Sequence, residues 1–222
     1  MNLEDVMKLV LGSAPEGRAK ITEKIVELAG KPAGEISVCV INEANSASDG
    51  DRRWFIEGLC KVSKTFGGKI GFCNLLALDT QEAEKRLLGY DVIWCFGGNT
   101  DYLKSVFDKT GFSAILPKLL KRKVWVGSSA GSCVICRRQS FTPPEYGIKE
   151  YLGLFNFCIR PHIWEKYATE DKYKYENLIT ESHKQTVYAL SDQSAVIVDG
   201  NEIYLYGKKA QKLVGGQVVE KI

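Results

Sequence analysis

The sequence predicts an α/β fold: a mostly parallel sheet with helices on both faces, followed by carboxyl-terminal antiparallel hairpins. Short apolar runs alternate with longer amphipathic stretches through the first two-thirds of the chain, as in consecutive βαβ units. Beyond residue 185 the apolar runs follow one another with only short turns between them. A chain of 222 residues that is 45% hydrophobic can bury one substantial core, so we expect a single domain spanning residues 1–222.

Individual elements follow from the spacing of apolar residues. The runs predicted as parallel strands are Met7–Leu11, Ile36–Ile41, Ile70–Leu76, Val92–Phe96 and Val124–Val126. Two segments with apolar residues at helical spacing, Glu16–Ala29 and Arg52–Phe66, are predicted as crossover helices. A polar helix-like stretch, Thr169–Ser182, precedes the last predicted strands, which are Val187–Leu190, Ala195–Val198, Ile203–Tyr206 and Lys212–Val219. Turn glycines between these strands predict an antiparallel meander that extends the sheet or caps it.

Composition narrows the range of partners. The formal charge is only +3 and the basic residues are scattered, so we expect no binding to nucleic acid. An acidic amino terminus, with no apolar run near the roughly 18 residues of a membrane span, predicts a soluble, unexported protein without a membrane partner. Seven cysteines without a CxxC pair indicate free thiols in a reducing cytoplasm. With two histidines and no acid cluster, we expect neither a metal nor a cofactor.

The first candidate for chemistry is Ser129, in the segment Gly127-Ser-Ser-Ala-Gly131. This segment joins a predicted strand to a helix-like stretch, Ser132–Arg137, and GxSxG at such a junction is typical of a nucleophile elbow, whose flanking residues must be small. Ser128 and Ser132 are rivals, but only Ser129 has a glycine at the elbow's spacing on each side. The N–H of Ala130 is then a natural donor to the oxyanion of a reacting carbonyl.

A second glycine-rich turn, Phe96-Gly-Gly-Asn-Thr100, follows another predicted strand. In a parallel sheet both strands end at the same edge, where ligand sites form. The Gly97-Gly98 pair lets the backbone approach a ligand and predicts a second oxyanion donor. Asn99 or Thr100 is expected to cap the helix that follows. A turn that only caps a helix would have the same local sequence.

His162 is the expected general base. It follows the apolar run that ends at Pro161, which places it at a strand end on a rigid turn, whereas His183 lies in a polar stretch typical of a solvated helix end. A carboxylate is needed to hold the imidazole, and between nucleophile and base the chain has only Glu145 and Glu150. Two prolines precede Glu145, so we predict it as the third residue. Glu150, a distant acid such as Asp192 and a backbone carbonyl are the alternatives.

Three ordered motifs, Phe96–Thr100, Gly127–Ser132 and Ile159-Arg-Pro-His162, resemble the serine peptidase family that includes dipeptidase E and cyanophycinase. The resemblance implies that Ser129 is the nucleophile and His162 the base, and it matches Gly98 to the oxyanion amide. Two departures stand out. Dipeptidase E has an aspartate in the loop that contains Glu145, and commonly an asparagine where this chain has Arg160, so a strict preference for amino-terminal aspartate does not carry over.

The resemblance implies a peptidase without a cofactor that cleaves small peptides, as a dipeptidase or isopeptidase, by way of an acyl-enzyme. We predict Asn99 and Arg160 as substrate-binding residues, with Arg137 and Arg138 as further candidates for contacting a substrate carboxylate. The quaternary state expected is a monomer or homodimer. One alternative is a class I glutamine amidotransferase-like domain, which shares the flavodoxin-like sheet but uses cysteine as nucleophile. The other is a non-catalytic module that binds a small ligand.

Overall fold

The structure, a computed structural model, describes residues 7–47, 50–165 and 174–222. Its strands are β1 (Lys8–Gly12), β2 (Val38–Ile41), β3 (Ile70–Phe72), β4 (Val92–Cys95), β5 (Val124–Ser128), β6 (Phe157–Arg160), β7 (Thr186–Leu190), β8 (Ser194–Asp199), β9 (Glu202–Gly207), β10 (Ala210–Val214) and β11 (Gln217–Lys221). Its α-helices are α1 (Ala19–Ala29), α2 (Arg53–Thr65), α3 (Thr80–Leu88), α4 (Thr100–Lys109), α5 (Phe112–Leu120), α6 (Ala130–Cys133) and α7 (Tyr175–Ser182). Short 3-10 helices cover Ala33–Glu35 and Glu43–Ala47.

The first sheet has seven strands in the order β3-β2-β4-β5-β1-β8-β9. The five strands from β1 to β5 are parallel, and β8 and β9 continue the sheet in antiparallel register. Alternate strand residues face opposite sides, so that Leu9 and Leu11 pack with α3, α4 and α5, while Val10 packs with α1 and α2. The predicted α/β fold with helices on both faces is therefore confirmed. That the chain forms a single domain stays a prediction.

The predicted carboxyl-terminal antiparallel hairpins are confirmed as β8–β9 and β10–β11, but the prediction that the last strands form one meander is wrong. Strands β8 and β9 extend the first sheet, but β7 and β10 belong to a second sheet in the order β11-β10-β7-β6. In this sheet β6 and β7 are parallel. The chain thus leaves the second sheet after β7 and returns to it at β10. The run Lys212–Val219 is divided into two strands because Gly215 and Gly216 both have positive φ angles, 59° and 84°.

The predicted helix over Ser132–Arg137 is also too long, since α6 ends at Cys133. The carbonyls of Val134, Ile135 and Cys136 accept hydrogen bonds from the amides of residues 152–154 instead of continuing the helix. A distant segment therefore satisfies the groups that a longer helix would have used. Of the predicted stretch Thr169–Ser182, the part from Tyr175 onward is helical in α7, and residues 169–173 lie outside the described residues.

Candidate active site

Ser129 lies in the one-residue junction between β5 and α6, with φ 49° and ψ −106°. Serine rarely adopts a positive φ, and such a conformation costs on the order of 1–3 kcal/mol. Small neighbours make the sharp turn possible. A Cβ on Gly127 would lie 2.6 Å from the backbone of Gly131, and one on Gly131 would lie 2.1 Å from the carbonyl oxygen of Cys95. The predicted strand–turn–helix elbow is thus present at Ser129.

The two predicted reacting side chains meet although they are 33 residues apart in sequence. His162 follows β6, and its Nε2 lies 3.0 Å from the Oγ of Ser129. Its Nδ1 lies 2.7 Å from Oδ1 of Asp192, in the turn between β7 and β8. With a proton on Nδ1 donated to Asp192, the lone pair of Nε2 can accept a hydrogen bond from the hydroxyl of Ser129. Ser129, His162 and Asp192 thus form one continuous hydrogen-bonded series.

Glu145 does not contact His162, so the predicted third residue is wrong in its placement. The Glu145 carboxylate accepts a hydrogen bond from Nδ2 of Asn99 at 2.7 Å, and its backbone N–H donates to Asp101 at 2.6 Å. Asp101 also pairs at 3.1 Å with Arg138, whose side chain is 6% exposed. These contacts hold the 141–147 loop against the start of α4. Asp192, one of the alternatives to Glu145, reaches the imidazole because β8 pairs with β1 and brings the preceding turn to the same edge of the sheet.

The predicted oxyanion donors, Gly98 and Ala130, both lie near Ser129. Ala130 follows it directly as the first residue of α6. Gly98 has a φ of 138°, and a Cβ there would lie 2.1 Å from the carbonyl oxygen of Ala44, so that only glycine fits. The Asn99 side chain accepts a hydrogen bond from the N–H of Tyr102 at 2.9 Å and caps α4, as one of the two predicted capping residues. The roles of Gly98 and Ala130 in binding an oxyanion stay predictions.

Two cavities adjoin Ser129, and Gly98 and His162 line both of them. The smaller, about 190 Å³, is also lined by the polar side chains of Asn99, Arg137 and Arg160. Arg160 is 8% exposed, and its Nη1 donates to Oε1 of Gln139 at 3.2 Å. Of the three candidate arginines, Arg138 is engaged with Asp101 instead and does not line this cavity.

The larger cavity, about 600 Å³, extends along α2 and is lined by Glu16, Trp54 and Lys61. Burial raises the pKa of the Glu16 carboxyl, while a hydrogen bond from the Ser128 hydroxyl acts in the opposite direction. The Ser128 hydroxyl in turn accepts from the indole N–H of Trp94 at 3.0 Å. Ser128, a rival nucleophile in sequence, is therefore engaged in a structural hydrogen-bond chain.

Other rival nucleophiles are similarly excluded by their surroundings. The Ser132 hydroxyl is fully buried and lies 2.8 and 2.7 Å from the carbonyl oxygens of Gly12 and Gly127. Cys133 lines the smaller cavity, but burial raises the pKa of its thiol to about 12. A thiol is a weak nucleophile until it ionises. Of the three serines in Gly127–Ser132, Ser129 is thus the one whose Oγ lies within hydrogen-bond distance of His162 Nε2.

Two residues of the site were missed as primary candidates by sequence reasoning, Ser13 and Asp192. Both lie just beyond predicted strands, Ser13 two residues after Leu11 and Asp192 two residues after Leu190. Position at a strand end was therefore the available signal, since polar side chains at that edge face the site. Which strand ends lie together depends on the pairing of β1 with β5 and β8, which single-strand patterns do not specify.

The fold and site are those of an α/β hydrolytic enzyme of the serine type, with Ser129 on an elbow between a central strand and a helix. The comparisons with known proteins agree. The model of peptidase family S51 matches residues 9–206. The chain belongs to peptidase family S51, and it is a serine-type peptidase.

Solved structures show the same fold. A protein from Listeria monocytogenes EGD-e described as a candidate peptidase E superposes with a TM-score of 0.72 at 19% identity, covering 91% of this chain and 98% of the other. A peptidase from an acI-B1 actinobacterium gives a TM-score of 0.73 at 17% identity, covering 98% and 96% of the two chains. A search of curated proteins found no match. Among the described residues, no helix is long and apolar enough to span a bilayer.

Proposed function

We propose that the protein hydrolyses small peptides, as a dipeptidase or isopeptidase, through an acyl-enzyme on Ser129. The observation that carries the proposal is the contact series from Ser129 Oγ to His162 Nε2 at 3.0 Å and from His162 Nδ1 to Asp192 at 2.7 Å. A serine hydroxyl is a poor nucleophile at neutral pH, and an adjacent base removes this limit. The strained φ of Ser129 supports the proposal, because such conformations concentrate at functional sites.

In the proposed reaction, Ser129 Oγ attacks the scissile carbonyl while His162 Nε2 takes its proton. Asp192 stabilises the resulting imidazolium, and the N–H groups of Gly98 and Ala130 receive the developing oxyanion. The imidazolium then protonates the leaving amine, which departs and leaves an ester on Ser129. A water molecule, deprotonated by the same His162, attacks this ester and releases the acid product with the serine restored.

The smaller cavity supports a small substrate residue on its side of Ser129. This cavity, on the side of Arg160, has a volume of about 190 Å³. Because that volume is below the usual range of drug-sized ligand pockets, the cavity suits one small residue. The side chains of Arg137, Arg160 and Asn99 offer hydrogen-bond donors there, so we propose that a carboxylate of the substrate, such as that of an aspartyl residue, binds on this side. Seven free cysteines fit the proposal that the enzyme works in the reducing cytoplasm.

A panel of dipeptides tests the substrate class. The panel varies the first residue and offers aspartyl residues in both α and β linkage, with free and blocked amino termini. A fluorophosphonate probe, followed by peptide mapping, tests the nucleophile in parallel. We expect the label on Ser129 and hydrolysis of at least one acidic dipeptide. If the protein neither takes up the label nor hydrolyses any dipeptide, a non-catalytic binding module is supported instead. If Ser129 is labelled but no dipeptide of the panel is hydrolysed, the proposed substrate class is wrong.

A further inference from the structure

Ser13 contacts both partners of the proposed histidine–carboxylate pair. Its Oγ accepts a hydrogen bond from the backbone N–H of His162 at 2.8 Å and donates one to Oδ1 of Asp192 at 2.9 Å. The same Oγ lies 3.2 Å from Nδ1 of His162. Ser13 is only 1% exposed, so water does not compete freely for these contacts. One hydroxyl therefore links the backbone of the base with its carboxylate.

The proton assignments in this cluster are mutually consistent. The single Ser13 hydroxyl proton goes to Asp192, and the oxygen lone pairs receive the N–H of His162. With the imidazole proton on Nδ1, the imidazole also donates to Asp192 across 2.7 Å, so that Oδ1 accepts from two donors and the Nε2 lone pair stays directed at Ser129. Hydrogen bonds to an ionised carboxylate are stronger than neutral ones, which favours this arrangement over a Ser13 proton on the imidazole.

His162 needs such support because its backbone φ is 63°, in the left-handed region. Outside glycine this conformation persists only when its surroundings enforce it. The hydrogen bond from its N–H to Ser13 fixes the residue at the point where β6 ends. The adjacent residue, Gly12, has a matching role for the nucleophile, since its carbonyl oxygen accepts the N–H of Ser129 at 3.0 Å.

We propose that Ser13 is a positioning residue, which sets the His162 imidazole and the Asp192 carboxylate in register with Ser129. The inference deepens the proposed function and rests on it. Two residues at the end of β1 thereby contact three segments that are far apart in sequence. Gly12 accepts the N–H of Ser129, and Ser13 contacts both His162 and Asp192. Ser13 acts through the other two side chains and takes no proton from substrate.

The test compares Ser13→Ala with Ser194→Ala, in both wild-type and Asp192→Asn backgrounds. Ser194 is a matched control, because its buried hydroxyl lies in the same neighbourhood and bonds the backbone carbonyl of Ser191 at 3.1 Å. Loss of hydrogen bonds to a charged group predicts that Ser13→Ala lowers kcat on the order of 10- to 100-fold with KM nearly unchanged. Ser194→Ala should keep kcat within about threefold of wild type.

The double variant separates positioning from general stability. If Ser13 acts through Asp192, Ser13→Ala should cost only a few-fold more in the Asp192→Asn background, because contacting residues couple. Ser13→Cys, which keeps the shape and a weak donor, should fall between alanine and serine and remains informative if Ser13→Ala does not fold. Wild-type kcat in Ser13→Ala, or an equal loss in both backgrounds, overturns the inference. Failure of the proposed function is distinguishable, since wild type itself would then neither label at Ser129 nor cleave peptide.

Discussion

The two ends of the first sheet hold carboxylates in different ways. At the amino-terminal edge, Asp91 accepts hydrogen bonds from the N–H and hydroxyl of Ser37 at 2.9 and 2.7 Å, and pairs with Lys31 at 2.6 Å. Asp91 and Ser37 directly precede β4 and β2. At the carboxyl-terminal edge, Asp192 instead accepts from His162 and Ser13, beside two residues with positive φ.

The two edges differ in backbone strain. Neither Ser37 nor Asp91 has a positive φ, whereas Ser129 and His162 both do. Local strain at a site is tolerated when interactions elsewhere stabilise the fold. Changes at the carboxyl edge should therefore alter turnover with little effect on stability, and changes at the amino edge should do the reverse.

The largest effect is expected from Ser129→Ala, which removes the proposed nucleophile. Turnover of the best dipeptide should fall on the order of 10⁴-fold or more in kcat, and fluorophosphonate labelling should be lost. The elbow already accommodates small residues, so the melting temperature should stay close to that of wild type. Activity like that of wild type would contradict the assignment of Ser129.

The next effect distinguishes the two candidate carboxylates. Asp192→Asn should lower kcat on the order of 10²–10⁴-fold, because a neutral amide neither stabilises the imidazolium nor selects the required tautomer. Glu145→Gln is the matched control, and it should change kcat less than about tenfold, since its contact is with Asn99 rather than His162. The reverse order of effects would restore Glu145 as the orienting residue.

A smaller, purely structural effect is expected at the opposite edge. Burial alone would raise the pKa of Asp91, but hydrogen bonds from Lys31 and Ser37 outweigh it and hold the pKa at about 2. Because the folded pKa is depressed, this stabilisation is present above the unfolded pKa of about 4 and is lost as the pH falls through about 2. Asp91→Asn should lower the free energy of unfolding by about 1–2 kcal/mol at pH 7.

Urea denaturation of wild type and Asp91→Asn at pH 7, 4 and 3 measures this difference. The difference in the free energy of unfolding between the two proteins should narrow as the pH falls below 4. The kcat of Asp91→Asn at pH 7 should stay within about twofold of wild type. An unchanged difference at pH 3 would mean that the Asp91 carboxylate is not the source of the stability. A large loss of kcat in Asp91→Asn would contradict the expectation that changes at the amino-terminal edge affect stability and not turnover.

The smallest expected effect is that of chelators. A mechanism that relies on Ser129 and His162 needs no metal-bound water, so exhaustive treatment with EDTA or phenanthroline should leave kcat unchanged. Loss of activity that zinc or another divalent ion restores would count against the serine mechanism.

Local sequence patterns were enough for the central parts of the fold. Alternating apolar runs predicted the five parallel strands, because the inner strands of a parallel sheet bury residues on both faces. The glycines around Ser129 predicted the elbow, since the close approach of strand and helix excludes larger side chains there. The turn at Pro161 likewise singled out His162 from the two histidines. Each of these predictions rests on residues only a few positions apart in the sequence.

The tertiary structure alone decided which carboxylate meets the imidazole. Glu145 is nearer to both reacting residues in sequence, yet Asp192 is the acid at Nδ1, because the pairing of β8 with β1 brings its turn to the site. The same long-range pairing places Ser13 against His162 and distributes the last strands over two sheets. A strand's apolar pattern specifies which face is buried but not which strand lies beside it, and so neighbours across the sheet could not be derived from local sequence.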